Sequence, residues 1–280
     1  MSNKLKLNIA DIVFLFITHK RTSMLRDSFP YRLFLSGGKP EVVLRLYYGS
    51  EFRRNNNFPR KILFDTQPSW RLYYSNRKYI LEARSHIMVL TSDFTSGEIY
   101  IAKNRDDFPF AYPLDEILMI NLLWRKRGIL VHACGMKSNN SSGLLFAGTS
   151  AAGKSTMANL WKDKKEVTIL SDDRVIIRRK NQSFWIYGTP WHGDAKVCSS
   201  ERAPLEKIFF LKHDKENCIK RLNPLDAASR LIVCSFPTFW DKKGMEFTLN
   251  FCSEIAEKIP CYELGFLPDS SVINFLGDVP

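Results

Sequence analysis

The sequence predicts an α/β fold, α+β overall, in two parts. Residues 1–110 are predicted to form an antiparallel β module, because short runs rich in β-branched and aromatic residues alternate there with polar turns. Residues 111–280 are predicted to form an α/β domain, because a buried strand feeds a glycine-rich loop and the first turns of a helix. A chain of 280 residues with 45% hydrophobic content can build such a core.

The first part contains several strand-like runs and no group of catalytic residue types. The predicted strands are residues 12–17, residues 41–48, two strands around a polar turn within 71–81, and residues 87–90 and 98–101 around a turn containing Gly97. The run 12–17 is too short to cross a bilayer, and no cleavage site follows it. We therefore expect no membrane segment, and we expect this module to recognise or dock a partner.

The second part alternates strands and helices. A helix is predicted from Pro113 to about Arg125, where Gly128 stops it. Further helices are predicted from about Pro224 and about Met245. The predicted strands are residues 129–134, 143–147, 167–173, a hairpin of 175–177 with 184–187, residues 205–211, and a closing strand at 262–264.

The net charge and the cysteines indicate which partners and which cellular location to expect. The net charge of +12 favours anionic partners such as a nucleotide or an acidic peptide. No nucleic-acid-binding motif accompanies it, so a general basic surface is the expected explanation and nucleic acid is not an expected partner. The six cysteines are scattered without a C-x-x-C pair. That pattern is typical of a reducing, cytoplasmic location and argues against a structural zinc site.

The strongest motif is a complete G-x-x-x-x-G-K-S phosphate-binding loop between a buried strand and a helix. Backbone N–H groups of such a loop and the helix N-terminus face a polyphosphate, the lysine reaches the β- and γ-oxygens, and the serine hydroxyl can ligate Mg²⁺. The alternative is a glycine-rich turn. The predicted ATP-binding residues are Gly148, Thr149, Ser150, Ala151, Ala152, Gly153, Lys154, Ser155 and Thr156.

Two adjacent carboxylates end the next predicted strand. Magnesium-dependent phosphoryl transfer to an alcohol needs one carboxylate for the metal and a base for the hydroxyl proton. Asp172 and Asp173 can point to different sides of the strand end, one for each role. The pattern leaves open which aspartate takes which role; the assignment adopted here is Asp173 with Ser155 for Mg²⁺ and Asp172 as the base. The alternative is an ordinary polar turn before Arg174.

Two further positions are candidates. His132 lies on the strand before the loop strand; it faces the γ-phosphate end of the site if those strands are neighbours, and is otherwise a core histidine. The segment 188–194 is a polar turn flanked by glycines, in which His192 and Asp194 can contact substrate. An ordinary turn is the alternative there.

The strings GILVHACG, GLLFAGTSAAGKST, LSDD and GTPWHG resemble the HPr serine kinase/phosphorylase superfamily, and most closely the HPr-kinase-related proteins encoded with peptide-modification clusters. The resemblance covers residues 128–275. It implies a P-loop core of the kind shared with phosphoenolpyruvate carboxykinase, and roles around the γ-phosphate and metal for His132, Lys154, Ser155, Asp172 and Asp173. Thr156 stands where HPr kinases carry an acidic residue, and no segment near the C-terminus is recognised as their substrate-docking segment, so HPr is not the expected substrate.

The motifs and the resemblance together lead to one expected activity. The resemblance implies an ATP- and Mg²⁺-dependent kinase acting on a serine of a peptide or small protein, most closely a ribosomally made precursor of the lasso type. Members of the family often form rings, so the resemblance also implies a homo-oligomer. The alternatives are a phosphorylase, a kinase with pyrophosphate or a small-molecule acceptor, a nucleoside or tRNA-modifying kinase, and a nucleotide-sensing module without turnover.

Overall fold

The computed structural model describes residues 3–19, 30–49, 61–102 and 110–277. The chain divides into two compact units, Met1–Leu122 and Leu123–Pro280. Each unit is built on one large sheet, so the predicted mixed α/β class is confirmed at this level. The P-loop kinase type of the second unit remains a proposal.

The first unit is a mixed sheet of eight strands in the order β1-β2-β3-β8-β7-β6-β5-β4. Buried residues alternate with partly exposed ones along β1 and β3, which gives the sheet one apolar face. Its strands are β1 (Asn3–Ile9), β2 (Ile12–Thr18), β3 (Val42–Tyr48), β4 (Lys61–Asp65), β5 (Trp70–Ser75), β6 (Lys78–Ala83), β7 (His86–Thr91) and β8 (Ser96–Ile101).

The prediction that this module is antiparallel is wrong for its centre. β3 pairs in parallel with β2 on one side and with β8 on the other. Alternation of residue types marks a strand but not its direction, which depends on the connection; residues 19–41 separate β2 from β3, and four strands separate β3 from β8. Gly97 lies within β8, not in the turn before it, since it pairs with Leu90 of β7 and Leu44 of β3. An added Cβ there would meet Val89 O at 2.8 Å and Leu90 Cδ2 at 2.6 Å.

The second unit is also an eight-stranded mixed sheet, in which two long strands change partners along their length. The first half of β9 pairs with β12, and its second half pairs with β10 and β11. β14 pairs first with β13 and then, in parallel, with β10 and β16. The strands are β9 (Gly128–Ser138), β10 (Gly143–Ala147), β11 (Val167–Ser171), β12 (Arg174–Lys180), β13 (Ser183–Tyr187), β14 (Arg202–His213), β15 (Cys218–Arg221) and β16 (Cys261–Phe266).

Five α-helices lie within the described residues: α1 (Leu114–Arg125), α2 (Lys154–Trp161), α3 (Pro224–Cys234), α4 (Lys242–Lys258) and α5 (Ser271–Gly277). A 3₁₀ helix spans Tyr31–Phe34. In the second unit, α3 and α4 pack on one face of the sheet, and α2 and α5 pack on the other. α4 begins three residues before the predicted Met245, because the Asp241 side chain accepts hydrogen bonds from two N–H groups of its first turn.

The described residues contain no helix that is both long and apolar enough to span a membrane.

All six cysteines are free, and Cys134, Cys234, Cys252 and Cys261 are buried. Three of these four, Cys234, Cys252 and Cys261, belong to the core between the sheet and helices α3 and α4. They fill apolar space there, as small hydrophobic residues do.

Candidate active site

The glycine-rich loop connects the end of β10 to the start of α2. Gly153 is the N-cap of α2 and has φ 99, a left-handed conformation that favours glycine. A Cβ at this position would also lie 2.6 Å from Cζ of Phe266. The loop and the helix N-terminus are therefore presented at the carboxyl end of β10, where backbone N–H groups can receive an anion.

A cleft of about 350 Å³ opens beside this loop. It brings together most of the residues that the sequence predicts, whereas Gly148, Thr149 and Ala152 lie in the loop without lining the cleft. His192 also lies outside the lining, and its Nδ1 donates to Gly193 O at 3.1 Å. The lining residues are His132, Ser150, Ala151, Gly153, Lys154, Ser155, Thr156, Asp172, Asp173, Gly193 and Asp194.

Lys154 is a buried cation that lines the cleft. Its side chain is part of a residue only 6% exposed, and Nζ donates to Thr149 O at 2.7 Å. Burial lowers the pKa of the ammonium group, and the nearby Asp173 carboxylate opposes that shift. The site thus holds a partly desolvated positive charge, which an anionic ligand would stabilise.

Asp173 lies between a histidine and an arginine side chain. His132 Nε2 is 3.1 Å from Asp173 Oδ1, and Arg174 Nε is 3.4 Å from Oδ2. Burial raises the pKa of Asp173, but the hydrogen bond from His132 and the charges of Arg174, His132 and Lys154 more than offset it, so the pKa is lowered. Asp173 is therefore held as a carboxylate while its side chain remains 29% exposed.

Asp172 has a different environment. It is fully buried, and its two carboxylate oxygens accept backbone N–H bonds from Gly193 at 2.8 Å and Ala195 at 2.9 Å. A Cβ added at Gly193 would lie 2.9 Å from Asp172 Oδ2 and 3.3 Å from Ser155 Oγ. The carboxylate and the hydroxyl therefore face the same small space, which the glycine leaves open.

Hydrogen bonds fix the predicted turn at residues 188–194 against the end of β11. Ser171 Oγ donates to Trp191 O at 2.7 Å, and Thr189 Oγ1 donates to Arg174 O at 2.5 Å. Through these bonds Gly193 and Asp194 are brought to the cleft. The turn is thus part of the wall of the site.

The residues at this opening fit Mg²⁺. Within the described ranges, no group of three or more His, Cys, Asp or Glu side chains is arranged to hold a metal ion. Mg²⁺ does not need one, since it is usually bound by one or two carboxylates together with substrate phosphates and water. Asp172 Oδ2 and Ser155 Oγ, both bordering the space at Gly193, are a suitable pair of oxygen donors.

Three residues with contacts in the site were not predicted as site residues. Gly193 leaves the opening next to Asp172, Arg174 pairs with Asp173, and His213 Nε2 donates to Ala151 O in the loop at 2.7 Å. The sheet topology points to His213, because it lies at the carboxyl end of a strand parallel to β10, where ligand-binding groups collect in α/β sheets. No local sequence motif marks any of these three residues as part of a site.

Comparison with known proteins does not assign the chain. No protein-family model matches it, and no curated protein matches it either. The functional conclusion therefore depends on the chemistry of the cleft, namely a glycine-rich loop, a buried lysine, two carboxylates and a histidine around one space.

Proposed function

We propose that the protein is an ATP- and Mg²⁺-dependent kinase with an HPr-kinase-like core, which phosphorylates a serine of a peptide or small protein. The observation that carries this proposal is the convergence of Lys154, Ser155, Asp172, Asp173 and His132 on one cleft. A phosphate loop alone binds nucleotides. A carboxylate paired with a histidine beside it adds what transfer to a hydroxyl requires.

The geometry favours an assignment of the two aspartates opposite to the one adopted from the sequence. Asp172 shares the opening at Gly193 with Ser155, and these two side chains would hold Mg²⁺. Mg²⁺, when bound, supplies positive charge that neutralises the phosphate oxygens. Asp173 is ionised, partly exposed and hydrogen-bonded to His132, which suits it to accept the proton of the attacking hydroxyl.

The proposed reaction conserves atoms and charge within these groups. The serine oxygen forms a bond to the γ-phosphorus of ATP while the bond from that phosphorus to the β–γ bridging oxygen breaks, and ADP leaves. The hydroxyl proton passes to the Asp173 carboxylate, whose Oδ1 is oriented by His132 Nε2. Lys154 and the loop N–H groups hold the phosphates in place.

The acceptor class follows from the resemblance and the charge. A peptide made on the ribosome, of the lasso-precursor type, is the proposed substrate, and the net charge of +12 suits an acidic segment of it. The proposed role of residues 1–110 is recognition of that peptide. A homo-oligomer and a cytoplasmic location belong to the same proposal.

Intact-mass measurement tests the proposal directly. The purified protein is incubated with ATP, Mg²⁺ and candidate peptides encoded by neighbouring genes, and we expect a gain of about 80 Da, the mass of one added phosphoryl group. The gain should vanish in Lys154→Ala and Asp173→Asn, and persist in Asp163→Asn, which changes an exposed carboxylate. ATP binding without peptide modification or hydrolysis would instead favour a nucleotide-sensing module.

A further inference from the structure

The tip of the phosphate loop is held from outside by the neighbouring strand. His213 Nε2 donates to the carbonyl oxygen of Ala151 at 2.7 Å. His213 is the last residue of β14, which runs parallel to β10, the strand that feeds the loop. Because both strands end at the same edge of the sheet, a side chain at the end of β14 reaches the loop tip.

The next strand supports this contact. β16 pairs in parallel with β14, and the register places Phe266 opposite His213. The two rings stack with centroids 6.2 Å apart and planes inclined by 25°. The Phe266 ring also borders Gly153, where a Cβ would come within 2.6 Å of it. The His213 imidazole is therefore oriented by a buried ring that also packs against the loop.

The hydrogen bond to Ala151 fixes the direction of one peptide group. Ala151 has φ 63, a conformation that non-glycine residues rarely adopt. The Ala151 carbonyl and the Ala152 N–H belong to one planar group and point in opposite directions. With the carbonyl directed at His213, the N–H points into the loop, where it donates to Thr149 O at 3.2 Å. This bond closes a turn from Thr149 to Ala152 at the tip of the loop.

We infer that His213 is a positioning residue for the nucleotide site: its Nε2–H holds the Ala151–Ala152 peptide group in the orientation that closes the Thr149–Ala152 turn, and so keeps the loop in the shape that receives a bound phosphate. That the loop binds a phosphate depends on the proposed function. The orientation of the peptide group rests on the contacts of His213, Phe266 and Thr149 alone.

Two variants separate the hydrogen bond from ring packing. His213→Phe keeps a ring that can stack on Phe266 but has no donor, and His213→Gln restores an N–H donor. In His213→Phe we expect faster amide exchange in residues 148–153 without ligand. Affinity for ATP and for inorganic tripolyphosphate should fall by a similar factor, about three- to tenfold for one lost hydrogen bond. His213→Gln should restore part of both, and Lys212→Ala, at an exposed neighbour, should change neither.

The outcomes are distinct. Unchanged loop exchange in His213→Phe would overturn the inference, and so would unchanged affinities. A loss confined to ATP, with tripolyphosphate unaffected, would also overturn it, because His213 would then contact the base or ribose. If the wild-type protein binds neither ligand, the proposed function fails, while the exchange measurement still decides whether His213 orients the loop.

Discussion

His132 Nε2 lies 3.1 Å from Asp173 Oδ1, and the pairing of two strands brings these residues together. β9 and β12 are antiparallel, with His132 opposite Arg174, the residue after Asp173. Ala133 N also donates to Asp173 O at 2.9 Å, so the backbone fixes the position of the aspartate as well. The two side chains are 27% and 29% exposed and both line the cleft. The pair is therefore held by backbone and side-chain contacts and is accessible from the cleft.

Replacing Asp173 by Asn should remove transfer while sparing nucleotide binding. The amide keeps the size of the side chain but cannot accept a proton, and general base catalysis typically contributes about 10²–10⁴-fold in rate. We therefore expect a loss of that order in the rate of peptide phosphorylation, measured by intact mass over time, with ATP affinity retained in calorimetry. A rate like that of Asp163→Asn would show that Asp173 is not the base.

Asp173 should also contribute to stability with a defined pH dependence. Its pKa is lowered in the folded protein, whereas the unfolded chain has the ordinary value of about 3.9. The stability from this group is therefore fully present above that value and is lost as the pH falls through the lower folded pKa. Urea unfolding from about pH 7 to about pH 3 should show a shallower acid decline for Asp173→Asn than for the wild type. Parallel declines would contradict the assigned shift.

Lys154 should strengthen ATP binding and lower the free energy of unfolding. Its pKa is lowered by burial, so the folded protein holds its charge at a desolvation cost. In Lys154→Met we expect an unfolding free energy equal to or above that of the wild type, together with ATP affinity about ten- to hundredfold weaker through the lost charged hydrogen bonds. Calorimetric titration and urea unfolding measure the two quantities. Lys165→Met, at an exposed lysine, should leave ATP affinity unchanged.

Gly153 should be intolerant of a side chain. Alanine there would adopt φ 99 and place its Cβ 2.6 Å from Phe266 Cζ. We expect Gly153→Ala to lower the unfolding free energy by about 2 kcal/mol, from backbone strain and overpacking together. Gly277→Ala is the matched control, since nothing lies within 4 Å of its Cβ position. Equal melting temperatures for the two variants would contradict the packing described for Phe266.

Local patterns predict most of the elements of the second unit. The hairpin of β12 and β13 turns at Asn181 and Gln182, which have φ 48 and 67, and polar residues at such positions mark a turn in the sequence. β1, β4, β15 and α5 have no counterpart among the predicted strands and helices. β1 alternates polar and apolar residues as a half-buried strand does, so its pattern is present in the sequence. β15 is only four residues long with mostly exposed side chains, which leaves little pattern to recognise. The predicted closing strand, β16, lies between β14 and β15.

The sequence also predicts one part of the candidate site and not another. The loop, Lys154 and the aspartate pair are adjacent in sequence, so their motif predicts them. The difference between Asp172 and Asp173 depends on Gly193 and Ala195, more than twenty positions away, which bind the first carboxylate and leave the second to His132. Such contacts follow from strand register and turn geometry, and a single sequence does not specify them.

His132 lies at the point where β9 changes its partner strand, in the sheet of the second unit. The strand pairs with β12 up to His132 and with β10 from Ala133 onwards. Separation of either partner would move the imidazole relative to Asp173 or to the loop, since Gly148 N also donates to His132 O at 3.4 Å. The ring resonances of this one histidine would therefore register loosening of either half of the sheet.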